Sequence, residues 1–327
     1  MNIGMVGTGS IAHTMAKEFA RLTTMPVVAV CSRNADTGIA MAHEFHIPKV
    51  YTEYNEMLAD PEVELVYIAT PNSLHFEQAK AALLAGKHVL CEKPIVPTLA
   101  QLDELLGLAE ERHLHLLEAI TTIDHPNYGL AKLFAKEIGD IKTVSCTFCQ
   151  YSSRYDAFMN GQTPPVFDPA YCGGALMDLN VYNIYFIVGL FGDPKAVHYY
   201  PNRHANGIDT SGILTMDYSG FKAVSIAAKD CAAPARYIIQ GTKGYILQKS
   251  TANCCGGVTF HPNEGKEEHY NLNGGRPRQA AEFEAFARAL ENGDQELCTR
   301  MQDTTIAVSR VLTVARRSAG IRFPCDR

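Results

Sequence analysis

The sequence predicts an α/β protein of two domains: a doubly wound parallel sheet over residues 1–121, then an α+β domain with a mostly antiparallel open sheet over residues 122–327. Two observations lead there. In the first stretch, short apolar runs alternate with helix-period segments, as in a parallel sheet covered by helices on both faces. In the second, strand-like runs follow one another and the helices stand apart from them, which segregates helices from an antiparallel sheet. A chain of 327 residues is long enough to build two cores.

In chain order, first-domain strands are expected at Asn2–Val6, Val27–Cys31, Leu65–Ala69, His88–Cys91 and His115–Glu118. Helices are expected at Ser10–Leu22, Ala35–Phe45, Glu53–Leu58, Ser73–Ala85 and Leu99–Glu111. Asn72 and Thr98 read as N-caps and Gly86 as the residue just past a helix end. Second-domain strands are expected at Ile141–Gln150, Ala196–Tyr200, Gly212–Met216, Ala223–Ala227, Ala235–Gln240 and Gly244–Lys249. One helix, Leu176–Leu190, interrupts them, and two more close the chain at Gln279–Glu291 and Asp303–Ser318.

Composition narrows the function classes. Hydrophobic residues are 46%, charged residues 20%, and the formal charge is −6. That mild acidity gives no electrostatic reason to bind nucleic acid or an anionic membrane. No uninterrupted apolar run approaches the roughly 18 residues of a membrane span. The start runs straight into a buried-strand pattern with no signal-peptide character, so a cytoplasmic location is expected. The ten cysteines are irregularly spaced. Cys146 and Cys149 form a C-x-x-C on an expected strand, where residues three apart point to opposite faces. Reduced structural thiols and no metal site are therefore expected.

Gly7-Thr8-Gly9-Ser10-Ile11-Ala12 reads G-x-G-x-x-A between the first strand and the first helix. The first glycine permits the tight turn, the second lets backbone approach a pyrophosphate, and the small Ala12 lets helix and strand pack closely. Backbone N–H groups at the helix start face the phosphates, helped by the helix dipole. This is a Rossmann-type dinucleotide site, with Gly7, Thr8, Gly9, Ser10 and Ile11 as its candidate residues. The end of the second strand discriminates between cofactors. An NAD site usually places a carboxylate there for the ribose 2′-hydroxyl, whereas this chain reads Cys31-Ser32-Arg33-Asn34. Ser32 and Arg33 suit a 2′-phosphate, which favours NADP over NAD.

Beyond that turn, Ala69-Thr70-Pro71-Asn72-Ser73-Leu74-His75 and then Cys91-Glu92-Lys93-Pro94 closely resemble motifs of the Gfo/Idh/MocA oxidoreductase family. The resemblance covers essentially the whole chain, and it implies an NAD(P)-dependent dehydrogenase or reductase acting on CH–OH groups. It places Lys93 at the nicotinamide and makes Pro94 a candidate cis proline. Thr70, Pro71, Asn72, His75 and Glu92 join the expected cofactor contacts. In the second half, Gly173-Gly174-Ala175-Leu176-Met177-Asp178-Leu179-Asn180-Val181-Tyr182 resembles the family's second catalytic stretch. Asp178 with Tyr182 resembles its tyrosine branch, that of dimeric dihydrodiol dehydrogenase and glucose–fructose oxidoreductase. An i, i+4 spacing puts both side chains on one helix face.

The chemistry of those types fits. Oxidation of an alcohol moves a hydride while a proton leaves the hydroxyl. A free tyrosine, with a pKa of about 10, is a poor base at neutral pH. A neighbouring ammonium, such as Lys93, favours the phenolate. Tyr182 would then be general base in oxidation and general acid in reduction. Asp178 would either orient Lys93 or grip a substrate hydroxyl, and both roles stay open.

Departures from the family pattern touch the substrate. Asn180 stands where many members carry Gly, and its amide would reach a substrate hydroxyl or only settle a helix turn. Thr122-Ile123-Asp124-His125-Pro126 lacks an arginine that many members have, which removes an anion clamp and argues against a strongly acidic substrate. Asp124 and His125 remain substrate candidates there, with His125 otherwise a structural contact beside Pro126. Tyr151-Ser152-Ser153-Arg154-Tyr155-Asp156 reads as a loop, and Tyr151, Arg154 and Tyr155 suit carbohydrate contact, a plain surface or an oligomer contact. The expected activity is hydride transfer between NADP and a sugar, polyol or related hydroxyl or carbonyl compound. A nucleotide-dependent sensor of the same fold has no need of Lys93 and Tyr182, and an NAD-retaining glycoside hydrolase would keep its dinucleotide through purification. The resemblance also implies a homodimer or homotetramer through the C-terminal sheet.

Overall fold

The computed structural model describes residues 1–21 and 24–326. They divide into two compact units: Met1–Ala119 with Glu282–Asp303, and Ile120–Ala281 with the chain from Thr304 onward.

The first unit runs β1 (Ile3–Val6), α1 (Ser10–Phe19), β2 (Val27–Cys31), α2 (Ala35–Phe45), β3 (Lys49–Tyr51), α3 (Tyr54–Ala59), β4 (Leu65–Ile68), α4 (Asn72–Leu84), β5 (His88–Glu92), α5 (Leu99–Glu111) and β6 (Leu116–Ala119). Its six strands lie in the order β3-β2-β1-β4-β5-β6, all parallel. The chain reverses direction of winding between β1 and β4, and a doubly wound sheet binds its ligand at that switch point, beyond the strands' carboxyl ends. β1 and β4 are buried at every position, which is what helices on both faces require. β3 is absent from the sequence expectation: it is three residues at the sheet edge, partly exposed, with no apolar run to mark it. Leu22, expected to end the first helix, lies outside the described residues. Thr98 caps α5 by accepting from the Gln101 N–H at 3.3 Å. Asn72 is not a cap but the first residue of α4, with Pro71 ahead of it.

The second unit holds α6 (Pro126–Phe134), β7 (Ile141–Cys149), α7 (Tyr155–Met159), a π-helical turn at Leu176–Asn180 that runs into α8 (Val181–Phe191), and seven further strands. These are β8 (Ala196–Arg203), β9 (Asp209–Asp217), β10 (Lys222–Ala228), β11 (Arg236–Gly241), β12 (Gly244–Gln248), β13 (Val258–Pro262) and β14 (Glu268–Tyr270). The eight strands lie in the order β14-β13-β12-β11-β7-β10-β9-β8. β7 and β10 pair in parallel and the other neighbours are antiparallel. Alternate residues, among them Val144, Cys146, Leu214, Met216, Ala223 and Tyr237, join one core with Leu176, Ile184, Phe186 and Ile187 of the central helix. Pro169–Phe191 is long and apolar enough to cross a membrane, with mean hydropathy 1.3, yet 72% of its most apolar window is buried inside the fold. It is the core helix of this unit.

The chain closes with α9 (Ala280–Glu291) and α10 (Gln295–Ser318). Residues 282–303 were expected in the second domain, but they cluster with the first unit. The cause is aromatic: Phe283 sits edge-on to Phe19 at 4.5 Å, and Phe286, Leu290 and Leu297 extend the same core. All ten cysteines are free, Cys146 buried and Cys149 half-buried on β7. Among the described residues there is no cluster of His, Cys, Asp or Glu that could hold a metal ion.

Candidate active site

The nucleotide end is built mainly from backbone. Gly7 has φ +104°, and a Cβ there would lie 2.5 Å from the Ala69 carbonyl oxygen, so β1 and β4 approach closely only because residue 7 has no side chain. Gly9 ends the turn ahead of α1, is exposed, and has nothing within 4 Å of where its Cβ would point. That leaves open ground for a pyrophosphate above the unpaired N–H groups of the helix start, and it is the feature a dinucleotide needs. Ser10 is exposed and Thr8 and Ile11 half-buried at the same turn.

Beyond β2 three hydroxyls meet. Ser32 Oγ lies 2.8 Å from Thr37 Oγ1, and Thr8 Oγ1 is 3.2 Å from Thr37 and 3.4 Å from Ser32. Asn34 caps α2, accepting from the Asp36 N–H at 2.9 Å and the Thr37 N–H at 3.4 Å, which turns that helix start toward the cluster. Arg33 stands exposed beside it. Hydroxyls and a helix N-terminus meet beside the exposed Arg33, and no carboxylate stands at residues 32–34.

The Lys93 loop is held from beneath. The Lys93–Pro94 peptide is cis, Lys93 is half-buried, and the Ile95 N–H donates to Glu118 at 3.1 Å. His75 is fully buried, with Nδ1 3.0 Å from the Pro94 carbonyl and Nε2 2.8 Å from that of Thr70. Burial is the chief cause that pushes its pKa down, with the Lys93 charge adding to it. Glu92, 9% exposed, accepts from the buried Tyr67 hydroxyl at 2.6 Å. Both residues were expected to touch the cofactor, but they face inward: His75 engages both ring nitrogens with main chain, and Glu92 packs on Tyr67. They support the loop that carries Lys93. Thr70 donates to Gln78 at 2.6 Å, and Pro71 and Asn72 remain half-buried at the start of α4.

In the second unit, every residue from Cys172 to Val188 is buried except Asp178 and Tyr182. The expected i, i+4 face therefore exists, although the backbone under it is not uniformly α-helical. The π-helical turn spans Leu176–Asn180 and so includes Asp178, a distortion common at functional sites. Gly174 leads into it at φ +104°, and a Cβ there would collide with the Asp209 carboxylate. Asp209 is fully buried and accepts from the Leu176 N–H and the Tyr199 hydroxyl, both at 2.7 Å. Burial raises its pKa, opposed by those bonds and by the Lys229 charge. Tyr182 packs with Leu179 against Phe148 and Ala227, its ring centroid 6.1 Å from that of Phe148. Asp178 forms an ion pair with Lys229, whose side chain is 7% exposed against 32% for Asp178.

Asn180 does not belong to that face. It is fully buried, and its amide oxygen accepts from the Ser225 hydroxyl of β10 and from Asn183 at 3.2 Å, which fixes the helix on the sheet. In the loop after β7, Tyr151 is exposed and donates to Asp156 at 2.5 Å, and Arg154 is exposed. Tyr155 is half-buried among Tyr151, Phe158 and Phe167, and its pKa is raised by burial first and by Asp230 second. His125 is buried, its Nε2 3.2 Å from the Asn253 carbonyl, and its pKa is lowered first by burial and further by Arg278. With Arg276, Arg278 and Asn273 it lines a pocket of about 130 Å³, and Asp124 beside it is half-buried.

Residues 1–119 match the family described as an oxidoreductase family with an NAD-binding Rossmann fold, and residues 131–247 match the GFO/IDH/MocA C-terminal domain. The chain belongs to the Gfo/Idh/MocA oxidoreductase family. Among relatives, an NADP(+) scyllo-inositol 2-dehydrogenase of Bacillus subtilis is 31% identical, covering 100% of this chain and 99% of the relative. A D-xylose 1-dehydrogenase (NADP(+)) of Haloferax volcanii is 29% identical over 98% of this chain and 97% of its own. Among solved structures, a 3-ketoreductase from Actinomadura kijaniata in complex with NADP and TDP-benzene superposes with a TM-score of 0.85, at 24% identity and 97% coverage of both chains. Membership makes this chain an NAD(P)-dependent oxidoreductase with the family's two-domain architecture.

Sequence reasoning missed Thr37, Lys229, Asp209, Arg276 and Arg278. Only Lys229 carried a usable signal. Period-two alternation along β10 buries residues 223, 225 and 227, and continuing it puts a lysine on the same inward face.

Proposed function

We propose that the protein is an NADP-dependent dehydrogenase or reductase of sugars, polyols or related hydroxyl and carbonyl compounds. The observation that carries this reading is the Asp178–Tyr182 pair, partly exposed within the otherwise buried stretch Cys172–Val188. Packing gives no reason to leave an acid and a phenol, one turn apart, as the two partly exposed positions of that stretch. For the cofactor, the hydroxyls of Thr8, Ser32 and Thr37 beside Arg33 support a 2′-phosphate, and Gly7 and Gly9 accommodate the pyrophosphate. When bound, the nicotinamide supplies the hydride acceptor or donor. Lys93 holds a positive charge at that end of the first unit, and Tyr182 takes the substrate proton in oxidation and returns it in reduction. The reading requires both residues to act on one substrate. The two relatives named for NADP(+) act on an inositol and a pentose, which supports a polyhydroxylated substrate here. Tyr200 and Ile213, opposite one another on β8 and β9 and 62% and 44% exposed, support a second copy covering that sheet as a homodimer or homotetramer.

Fluorescence titration with NADPH, NADH in parallel, followed by turnover assays with NADP+ and NAD+ on a panel of aldoses, inositols and other polyols, tests the reading. NADPH binding with turnover on any member supports it. Tight binding without turnover points to a sensor, a dinucleotide retained through purification points to a hydrolase, and binding of neither cofactor removes the proposal.

A further inference from the structure

Lys229 follows β10 directly, where its backbone is fixed from two sides. Its N–H donates to the Thr210 carbonyl at 2.8 Å, and its own carbonyl accepts from the Ser152 N–H at 2.9 Å. The side chain is almost fully buried, its Nζ paired with Oδ2 of Asp178 and 5.9 Å from the centroid of the Phe167 ring. An ammonium is rarely buried unless its charge is answered, so this position is costly unless the ion pair forms. Two more carboxylates face the same ground, Asp209 at the start of β9 and Asp230 next in the chain. Both are already engaged: Asp209 by the Leu176 N–H and the Tyr199 hydroxyl, Asp230 by the hydroxyls of Thr210 at 2.7 Å and Ser211 at 2.8 Å. Tyr155 and Cys231 also feel Asp230, and Tyr182 stands one turn from Asp178. Of these groups, Lys229 is the cation in direct contact with the Asp178 carboxylate.

Resting on the functional reading above, we propose that Lys229 is a positioning residue of the hydride-transfer site. It holds Asp178 ionised and fixes the direction of its carboxylate through Oδ2, so that Asp178 accepts a hydrogen bond from a substrate hydroxyl while Tyr182 alone moves the proton. This resolves the choice the sequence leaves open for Asp178. A contacting cation favours the carboxylate form, and the rigid ends of β9 and β10 hold that cation in place.

The test is the pH dependence of kcat/KM on the best substrate of the panel, with NADP+ for an alcohol and NADPH for a carbonyl compound. In Lys229→Met the acid limb should move up by about one to three pH units, the size of the effect of a contacting cation on a carboxylate. Lys229→Arg should bring it back near the wild-type position, and NADPH affinity should stay unchanged throughout. An unmoved limb in Lys229→Met, with only the melting temperature lowered, would overturn the proposal and leave Lys229 a structural staple. Because breaking the ion pair can compromise folding, the double variant Asp178→Asn/Lys229→Met removes both charges together. On the Asp178→Asn background the lysine change should cost less than about twofold in kcat/KM. A loss as large as on the wild-type background would show that Lys229 does not act through Asp178, and the proposal would fall. A wild-type enzyme inactive on the whole panel with either cofactor would sink the functional reading and this inference together. An active wild type with an unmoved limb would sink the inference alone.

Discussion

The two units prepare their candidate functional residues in opposite ways. In the first, backbone makes the site: Gly7 and Gly9 clear space, helix starts offer N–H groups, and His75 and Glu118 hold the Lys93 loop through main-chain contacts. In the second, side chains make it. A buried helix presents Asp178 and Tyr182, and the charged groups beneath them, Lys229 and Asp209, come from strand ends. A site made of backbone fails when atoms are added, and a site made of side chains fails when functional atoms are removed.

Tyr182→Phe sharpens this contrast most. Loss of a positioned general acid–base should lower kcat by about 10²–10⁴-fold, with NADPH affinity near wild type because no backbone at the nucleotide end has changed. Gly7→Val should do the reverse. Its φ of +104° strains any L residue, and the Ala69 carbonyl at 2.5 Å from the Cβ forces β1 and β4 apart. NADPH affinity should fall more than about tenfold while the second unit keeps its structure, as fluorescence titration and circular dichroism would report. If Tyr182→Phe retained turnover, or Gly7→Val bound NADPH normally, the division of labour would be wrong.

Next in size is Arg33→Ala. If Ser32, Thr37 and Arg33 recognise a 2′-phosphate, loss of one charge-assisted contact should weaken NADPH by roughly ten- to a hundredfold and leave NADH nearly unchanged. Equal losses for both cofactors would place Arg33 elsewhere on the nucleotide.

The contrast also explains what the sequence discloses. In the first unit the signals are local: a glycine turn between a strand and a helix, a cap at Thr98, and the short motif around Lys93. β2, α2 and α5 stand at the residues expected for them. In the second unit the deciding partners are distant. Lys229 is 51 residues from Asp178, and Ser225 is 45 residues from Asn180. The two roles of Asn180 therefore stay open until its strand partner is known, and Lys229 lies two residues past the strand expected at Ala223–Ala227. The same limit misassigned residues 282–303, whose apolar face is evident in sequence but whose partner, Phe19, is not. The π-helical turn at Leu176–Asn180 leaves no compositional trace, because it is formed by three ordinary core residues with one aspartate and one asparagine.

The smallest effect, on stability, should separate the units by pH. Burial is the largest cause holding down the pKa of His75, His88 and His115 in the first unit and of His125 in the second. A histidine kept neutral in the fold contributes stability fully present above its unfolded pKa of about 6.5, and that stability drains as pH falls below it. Asp209 has the opposite sign. Its pKa is raised by burial, so it costs stability at neutral pH, and the cost is relieved as pH falls through its folded value toward 3.8. Between pH 7 and pH 5 the first unit should therefore lose more stability than the second. His75, fully buried, should contribute to that loss, burial outweighing the carbonyls of Thr70 and Pro94 that favour its charged form. Hydrogen exchange, corrected for the intrinsic dependence on pH, should show β4 and β5 losing protection before β9 and β10. His75→Gln should start less stable yet lose less on acidification, since the titrating group is gone. Equal acid sensitivity in both units, or an undiminished acid response in His75→Gln, would mean that the buried imidazole beneath the Lys93 loop does not set the first unit's acid limit.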